Sequence, residues 1–155
     1  RINEWQTDRF FQNILHEQFN TLAGKTVALL GFAFKQDTGD TRDSPAIPLC
    51  EKLLGEHANV RVHDPKALEN AKIDLQEMQG NVRFVEDVYE AVDGVHAIAL
   101  VTQWAEYREL DFERIYNKMV KPAFIFDGRN HLEHEKLFEI GFNVFPLGKP
   151  PLKHV

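Results

Sequence analysis

The sequence predicts an α/β domain whose sheet is mostly parallel and covered on both faces, and two observations carry that prediction. Short β-rich runs alternate with helical stretches along nearly the whole chain, the pattern that strand–helix–strand crossovers produce. The runs Val27-Ala28-Leu29-Leu30 and Ala97-Ile98-Ala99-Leu100-Val101 are apolar throughout rather than alternating, as strands buried on both faces should be. These two runs are therefore the central pair. At 155 residues and 43% apolar composition the chain can bury one sizeable core, and it is too short for two ordinary domains with a linker.

Taken in order, Ile2, Trp5, Phe11, Ile14, Leu15, Gln18 and Phe19 recur at near-helical spacing and Gly24 closes the segment, so residues 3–21 read as an amphipathic helix. Strands are expected at 26–31, 59–63, 82–85, 95–101, 122–127 and 142–146. Helices are expected at 45–56, 66–78, 86–92, 104–118 in one or two pieces, and 131–140. The result is a Rossmann-like, doubly wound, mostly parallel sheet of about six strands, preceded by an amphipathic helix. The division that follows is a lead-in helix over 1–22, the α/β domain over 23–147, and a tail over 148–155 with two prolines and two lysines.

Composition excludes several classes of function. A net charge of −6 and a pI near 5.6 give no whole-chain attraction to nucleic acid or to an anionic membrane, so any phosphate binding must be local. The single Cys50 excludes an intramolecular disulfide and a cysteine-rich metal site, and it fits a reducing compartment, with the cytoplasm as default. No apolar run reaches the length of a membrane span. The start at Arg1, without Met, suggests a piece of a longer protein.

The segment Gly31 to Ser44 follows the first central strand and precedes the helix opening Ser44-Pro45, which is where a doubly wound sheet places its ligand. Its glycines, Gly31 and Gly39, do not make the G-x-G-x-x-G dinucleotide fingerprint, and no P-loop pattern is present. Lys35 and Arg42 can meet a diphosphate, the first as a point charge and the second as a fork. Asp37, Asp40 and Asp43 make the loop net negative, which leaves open a solvated, self-paired turn. Asp64, ending the second strand, has the position of a ribose-binding acid, but Asp64-Pro65 reads more simply as a turn. His131 and His134, three apart with Glu133 and Glu135 nearby, lack a third metal ligand and read as a solvated first helical turn. His63 and His96 read as structural histidines, and Trp104 and Tyr107 either wall a pocket or pack beneath a helix. Asn130 is placed to cap a helix at 131, and Asp127-Gly128 to turn Arg129 toward the cleft.

The wording of the loop, Gly31-Phe32-Ala33-Phe34-Lys35-Gln36-Asp37-Thr38-Gly39-Asp40-Thr41-Arg42-Asp43-Ser44-Pro45, resembles the opening of the carboxyl-terminal domain of the UDP-glucose 6-dehydrogenases, in the UDP-glucose/GDP-mannose dehydrogenase family. Further matches follow in that family's order: His63-Asp64-Pro65, Val101-Thr102-Gln103-Trp104, and Lys121-Pro122-Ala123-Phe124-Ile125-Phe126-Asp127-Gly128-Arg129. The resemblance implies an oxidoreductase that converts UDP-glucose to UDP-glucuronate while reducing two NAD. NAD would be held by an amino-terminal Rossmann domain, and the UDP portion by the domain resembled here. It implies that Phe34, Lys35 and Arg129 contact the UDP-sugar, that Arg42 approaches NAD across the domain interface, and that residues 1–22 end a long connecting helix through which the family assembles as homo-oligomers. Trp5, Phe10 and Phe11 would then either face a lost interface or pack on this domain. The family's nucleophilic cysteine, with its assisting lysine and aspartate, would lie outside this chain. Cys50 sits on the apolar set Ile47, Cys50, Leu53 and Leu54 as a small core residue, and the fragment alone is expected to be inert, with no catalytic residue and no metal. The alternatives are the equivalent domain of a UDP-N-acetylmannosamine or GDP-mannose dehydrogenase, and a non-catalytic flavodoxin-like binding module.

Overall fold

The computed structural model describes residues 4–18 and 20–155, with the side chains of Glu4 and Trp5 outside the description. Ile2, Phe19 and the Trp5 ring, on which the periodicity of the first helix partly drew, therefore lie outside the described residues. Helix α1 (Glu4–Glu17) is amphipathic and lies on the domain: Phe10, Phe11 and Ile14 are buried in the main core, and the Phe10 ring meets Phe126 edge-on at 6.4 Å. Asp8 of α1 also pairs with Lys52 at 2.6 Å. Of the two fates open to Phe10 and Phe11, packing on this domain is the one observed.

After α1 the chain lays down β1 (Thr26–Leu30), α2 (Ala46–Gly55), β2 (Asn59–His63), α3 (Leu68–Asp74), β3 (Asn81–Phe84), α4 (Val88–Ala91) and β4 (Ala97–Leu100). A 3-10 helix (Ala105–Glu109), α5 (Phe112–Lys118), β5 (Phe124–Asp127), α6 (His134–Ile140) and β6 (Asn143–Pro146) complete it. The strands form one sheet in the order β3-β2-β1-β4-β5-β6, parallel at every pairing. Sequence order reverses between β1 and β4, the predicted central pair, whose residues from Val27 to Leu30 and Ala97 to Leu100 are all buried. This order is the doubly wound one and differs from the flavodoxin-like order 2-1-3-4-5, so the flavodoxin-like alternative does not describe this sheet.

Observed elements are shorter than expected mainly at their ends, where main-chain groups leave the ladder to serve the loops. The predicted strand at 95–101 narrows to four residues, although Val101 N still donates to Leu30 O at 2.9 Å. The helix expected at 131–140 begins only at His134, because residues 128–133 wrap around Asp127. Residues 148–155 fold back rather than trail: Leu152 and Val144 exchange both main-chain hydrogen bonds, at 2.8 and 2.9 Å. The His154 ring stacks on Phe138 with centroids 4.0 Å apart. That segment covers the outer edge of β6, which would otherwise offer unpaired main-chain groups.

Candidate nucleotide site at the carboxyl edge of the sheet

The site begins where β1 meets β4. Gly31 has φ +97, and a Cβ there would lie 2.5 Å from Thr102 Cβ and 2.6 Å from Thr102 N, so no other residue fits. The strand exits are thus pressed together at the switch point. The next two amides, Phe32 N and Ala33 N, are the first donors of the βα turn, the position at which a dinucleotide fold receives its pyrophosphate. Here both donate to Asp64 Oδ2, at 2.7 and 2.9 Å.

Asp64 is only 3% exposed and accepts three more hydrogen bonds. Its Oδ1 takes Lys66 N at 2.8 Å and Ala67 N at 2.9 Å, which makes the turn expected at Asp64-Pro65. Its Oδ2 also takes the Trp104 indole N–H at 3.1 Å. With five donors on two oxygens the carboxylate has no capacity left for a ribose, and a protein anion fills the place of a bound phosphate.

The remainder of the loop is braced against this centre. Ser44 Oγ donates to Phe32 O at 2.7 Å, Thr102 Oγ1 donates to Ala33 O at 2.8 Å, and Phe34 N donates to Asp40 O at 2.7 Å. Asn70 Nδ2 holds Gly39 O at 2.6 Å, so the tip of the loop leans toward α3. Ser44 Oγ also accepts from Ala46 N at 3.2 Å just before α2 begins. Phe32 and Ala33 are consequently fully buried, Phe34 is half-buried and Lys35 is exposed. Arg42 forks onto Asp40, with Nε 3.1 Å from Oδ1 and Nη2 2.8 Å from Oδ2. That pair holds the Asp40 carboxyl at about 2 and raises the Arg42 guanidinium. The self-paired reading of the loop therefore describes Arg42 and Asp40. Lys35 makes no ion pair or hydrogen bond among the described residues.

A second buried carboxylate organises the exit of β5. Asp127 is fully buried; its Oδ1 accepts from Arg129 N at 3.1 Å, and its Oδ2 accepts from His131 N, Leu132 N and His134 Nε2, each at 2.8 Å. Gly128 is required inside this turn, since a Cβ would lie 2.9 Å from Leu100 O and 3.3 Å from the Phe10 ring. The turn presents Arg129, half-buried, and its guanidinium has no carboxylate partner among the described residues. Asn130 (φ +49) does not cap a helix; it exchanges two hydrogen bonds of 2.8 Å with the main chain of Leu147. His131 lies before α6, not in a helical turn with His134, and its Nε2–H donates to Trp104 O at 2.8 Å. The two histidines serve different acceptors, and among the described residues no group of His, Cys, Asp and Glu could hold a metal ion.

Trp104 and Tyr107 pack inside. Tyr107 is fully buried with its hydroxyl 2.8 Å from His63 Nδ1, and burial raises that phenol while lowering the His63 imidazole. Cys50 is fully buried among core side chains, and burial pushes its thiol up to about 12, so it is a packing residue and no nucleophile.

Lys35 and Arg129 thus stand past the ends of β1 and β5, on either side of β4. Two strand spacings put the ends of β1 and β5 about 10 Å apart. Two cations at a sheet edge that make no ion pair among the described residues, with half-buried Phe34 beside them on the loop, suit a phosphate-bearing ligand. Arg42 sits on the same loop but is committed to Asp40. The anchors Asp64 and Asp127 were not singled out as such from the sequence. The available signal was an acid ending an apolar strand just before Pro65 or Gly128, where amides turn inward.

Comparison with known proteins agrees with this reading. Residues 28–134 match the family model described as the UDP-glucose/GDP-mannose dehydrogenase family, UDP binding domain. Over 97% of the chain the sequence is 44% identical to UDP-glucose 6-dehydrogenase 5 of Oryza sativa subsp. japonica and 41% identical to UDP-glucose 6-dehydrogenase 1 of Arabidopsis thaliana. In both cases the match spans 35% of the relative's own length, so the chain covers about a third of these proteins. Among solved structures, a UDP-glucose dehydrogenase from Pyrobaculum islandicum aligns with 88% of this chain and 30% of its own, at 30% identity and a TM-score of 0.69. An NDP-N-acetyl-D-galactosaminuronic acid dehydrogenase from Methanosarcina mazei aligns with 92% of this chain and 28% of its own, at 26% identity and a TM-score of 0.75. With its sheet order, its closed β1 turn and this match in hand, the chain belongs to the UDP-glucose/GDP-mannose dehydrogenase family, as that family's UDP binding domain.

Proposed function

We propose that this chain supplies the UDP-binding part of an NAD-dependent UDP-glucose 6-dehydrogenase, an enzyme that oxidises UDP-glucose to UDP-glucuronate with two NAD. The observation that carries the proposal is the pair of cations, Lys35 and Arg129, which make no ion pair among the described residues, at the β1 and β5 exits in a chain whose net charge is −6. In this reading Lys35 and Arg129 neutralise the diphosphate, and Phe34 gives the ligand an apolar wall and main-chain contacts. UDP-glucose is favoured over UDP-N-acetylmannosamine or GDP-mannose by the 44% identity to a UDP-glucose 6-dehydrogenase across nearly the whole chain.

The residues at this switch point do not fit NAD. The amides that would receive its pyrophosphate are bonded to Asp64, and the loop lacks the glycine fingerprint. The cofactor is therefore assigned to a domain outside this chain. Arg42 is assigned the approach to that cofactor across the domain interface, with Asp40 gripping its Nε and Nη2. Catalysis is assigned outside the chain too, because Cys50 is sealed in the core. Homo-oligomeric assembly through a longer α1 and a cytoplasmic location complete the proposal. Among the described residues no helix is long and apolar enough to cross a membrane.

In the whole enzyme, Lys35→Ala and Arg129→Ala should each raise KM for UDP-glucose roughly tenfold or more, the worth of one charge-assisted hydrogen bond. KM for NAD should move less than about twofold. Equal changes in both constants would remove the assignment. A higher kcat/KM for GDP-mannose than for UDP-glucose in the unmutated enzyme would transfer the chain to the rival substrate.

A further inference from the structure

Resting on the UDP-site reading above, we propose that Trp104 is the positioning residue of that site, a tie that sets the Lys35 loop and the Arg129 turn relative to each other. Its two polar ends point to the two halves. The indole N–H donates to Asp64 Oδ2 at 3.1 Å, on the same oxygen that holds Phe32 N and Ala33 N immediately before Phe34 and Lys35. The main-chain carbonyl accepts from His131 Nε2 at 2.8 Å, and His131 N in turn donates to Asp127 Oδ2, the carboxylate whose other oxygen holds Arg129 N. A continuous hydrogen-bonded chain therefore runs Phe32/Ala33, Asp64, Trp104, His131, Asp127, Arg129. It crosses the exits of β1, β2, β4 and β5, and it connects the two cations that do not otherwise contact one another.

The path is buried at Asp64, Trp104 and Asp127 and half-buried at His131 and Arg129, and its members are specified by valence. Trp104 is 5% exposed, Asp64 3%, and Asp127 fully buried, so the bonds act in a low-dielectric setting where losing one orphans its partners. An indole nitrogen can only donate, and a main-chain carbonyl can only accept, so His131 must carry its proton on Nε2. The carbonyl's second lone pair takes Tyr107 N at 3.1 Å, which fixes the start of the 3-10 helix and leaves the carbonyl no freedom to turn away. Packing alone would require a large apolar ring at 104; it would not require a donor at one end and a histidine at the other.

The test uses Trp104→Phe, which keeps an aromatic ring and removes the donor, and the pair His131→Leu and His131→Gln, of which only the second keeps a side-chain N–H. In the whole enzyme, Trp104→Phe and His131→Leu should each raise KM for UDP-glucose roughly three- to tenfold, with KM for NAD unchanged and His131→Gln near the unmutated value. In a Lys35→Ala/Arg129→Ala double background the same changes should add less than about twofold, because both of the groups being positioned are gone. Hydrogen exchange read on the same variants should quicken together at Phe32–Lys35 and at Arg129–Leu132, and not in β1 or α2. Additive effects in the Lys35→Ala/Arg129→Ala background, or faster exchange in one segment alone, would overturn the tie. An unmutated enzyme that fails to oxidise UDP-glucose would overturn the functional reading instead, and the exchange pattern would then decide the tie by itself.

Discussion

Asp64→Asn keeps the volume of the side chain and turns one of its two acceptor oxygens into a donor. The cheaper orientation of the amide keeps the oxygen at the Oδ2 position, with its bonds to Phe32 N, Ala33 N and Trp104 Nε1, and sets the NH2 against Lys66 N and Ala67 N. Two charge-assisted bonds are lost, at about 1.5–3 kcal/mol each, and the surviving three are weakened because the acceptor is now neutral. Lys66 is exposed and water can serve its amide, whereas Ala67 is buried and its amide is left unpaired. The expected loss is about 4 kcal/mol, a large share of the roughly 5–15 kcal/mol available to a domain. Urea unfolding followed by tryptophan fluorescence reads this directly, as a fall in midpoint of about 2 M for a slope near 2 kcal/mol/M. A loss below about 1 kcal/mol, the ordinary value for a surface turn, would refute the claim that this carboxylate organises the loop.

Two further outcomes follow from burial. Cys50, with its thiol at about 12, should not react with a disulfide reagent at pH 8 in the folded protein and should react once the chain is unfolded in urea; rapid labelling of the folded state would contradict its place in the core. Burial lowers His63 below the ordinary 6.5, so below pH 6.5 the unfolded chain binds more protons than the folded one. The stability His63 contributes is thus complete above pH 6.5 and is lost as pH falls through 6.5 toward the folded value. The decline in Tm between pH 7 and pH 5 should be shallower in His63→Asn, which keeps an acceptor near Tyr107; an unchanged slope would show that His63 does not titrate this way.

What the sequence made legible were features that depend on pattern. The unbroken apolar runs at 27–30 and 97–101 identified the switch point, because only strands buried on both faces tolerate them. The absent glycine fingerprint argued against a dinucleotide cradle in this loop, and the amides at Phe32 and Ala33 are bonded to Asp64. What remained hidden was which polar groups are consumed internally. Asp64 and Asp40 are both loop carboxylates in one dimension, yet Asp64 is buried under five donors while Asp40 sits at the surface in a fork with Arg42. The late start of α6 was hidden for the same reason. Residues 131–133 are expected from the sequence to open that helix, but the amides at His131 and Leu132, like that of Arg129, are drawn to Asp127 instead.

The most direct test is calorimetric titration of this chain with UDP, GDP and NAD. UDP should bind more tightly than GDP, NAD should give no comparable heat, and Lys35→Ala or Arg129→Ala should weaken UDP binding alone. NAD binding at an affinity equal to that of UDP, or UDP binding untouched by both substitutions, would contradict the assignment of a uridine diphosphate site to the β1 and β5 exits.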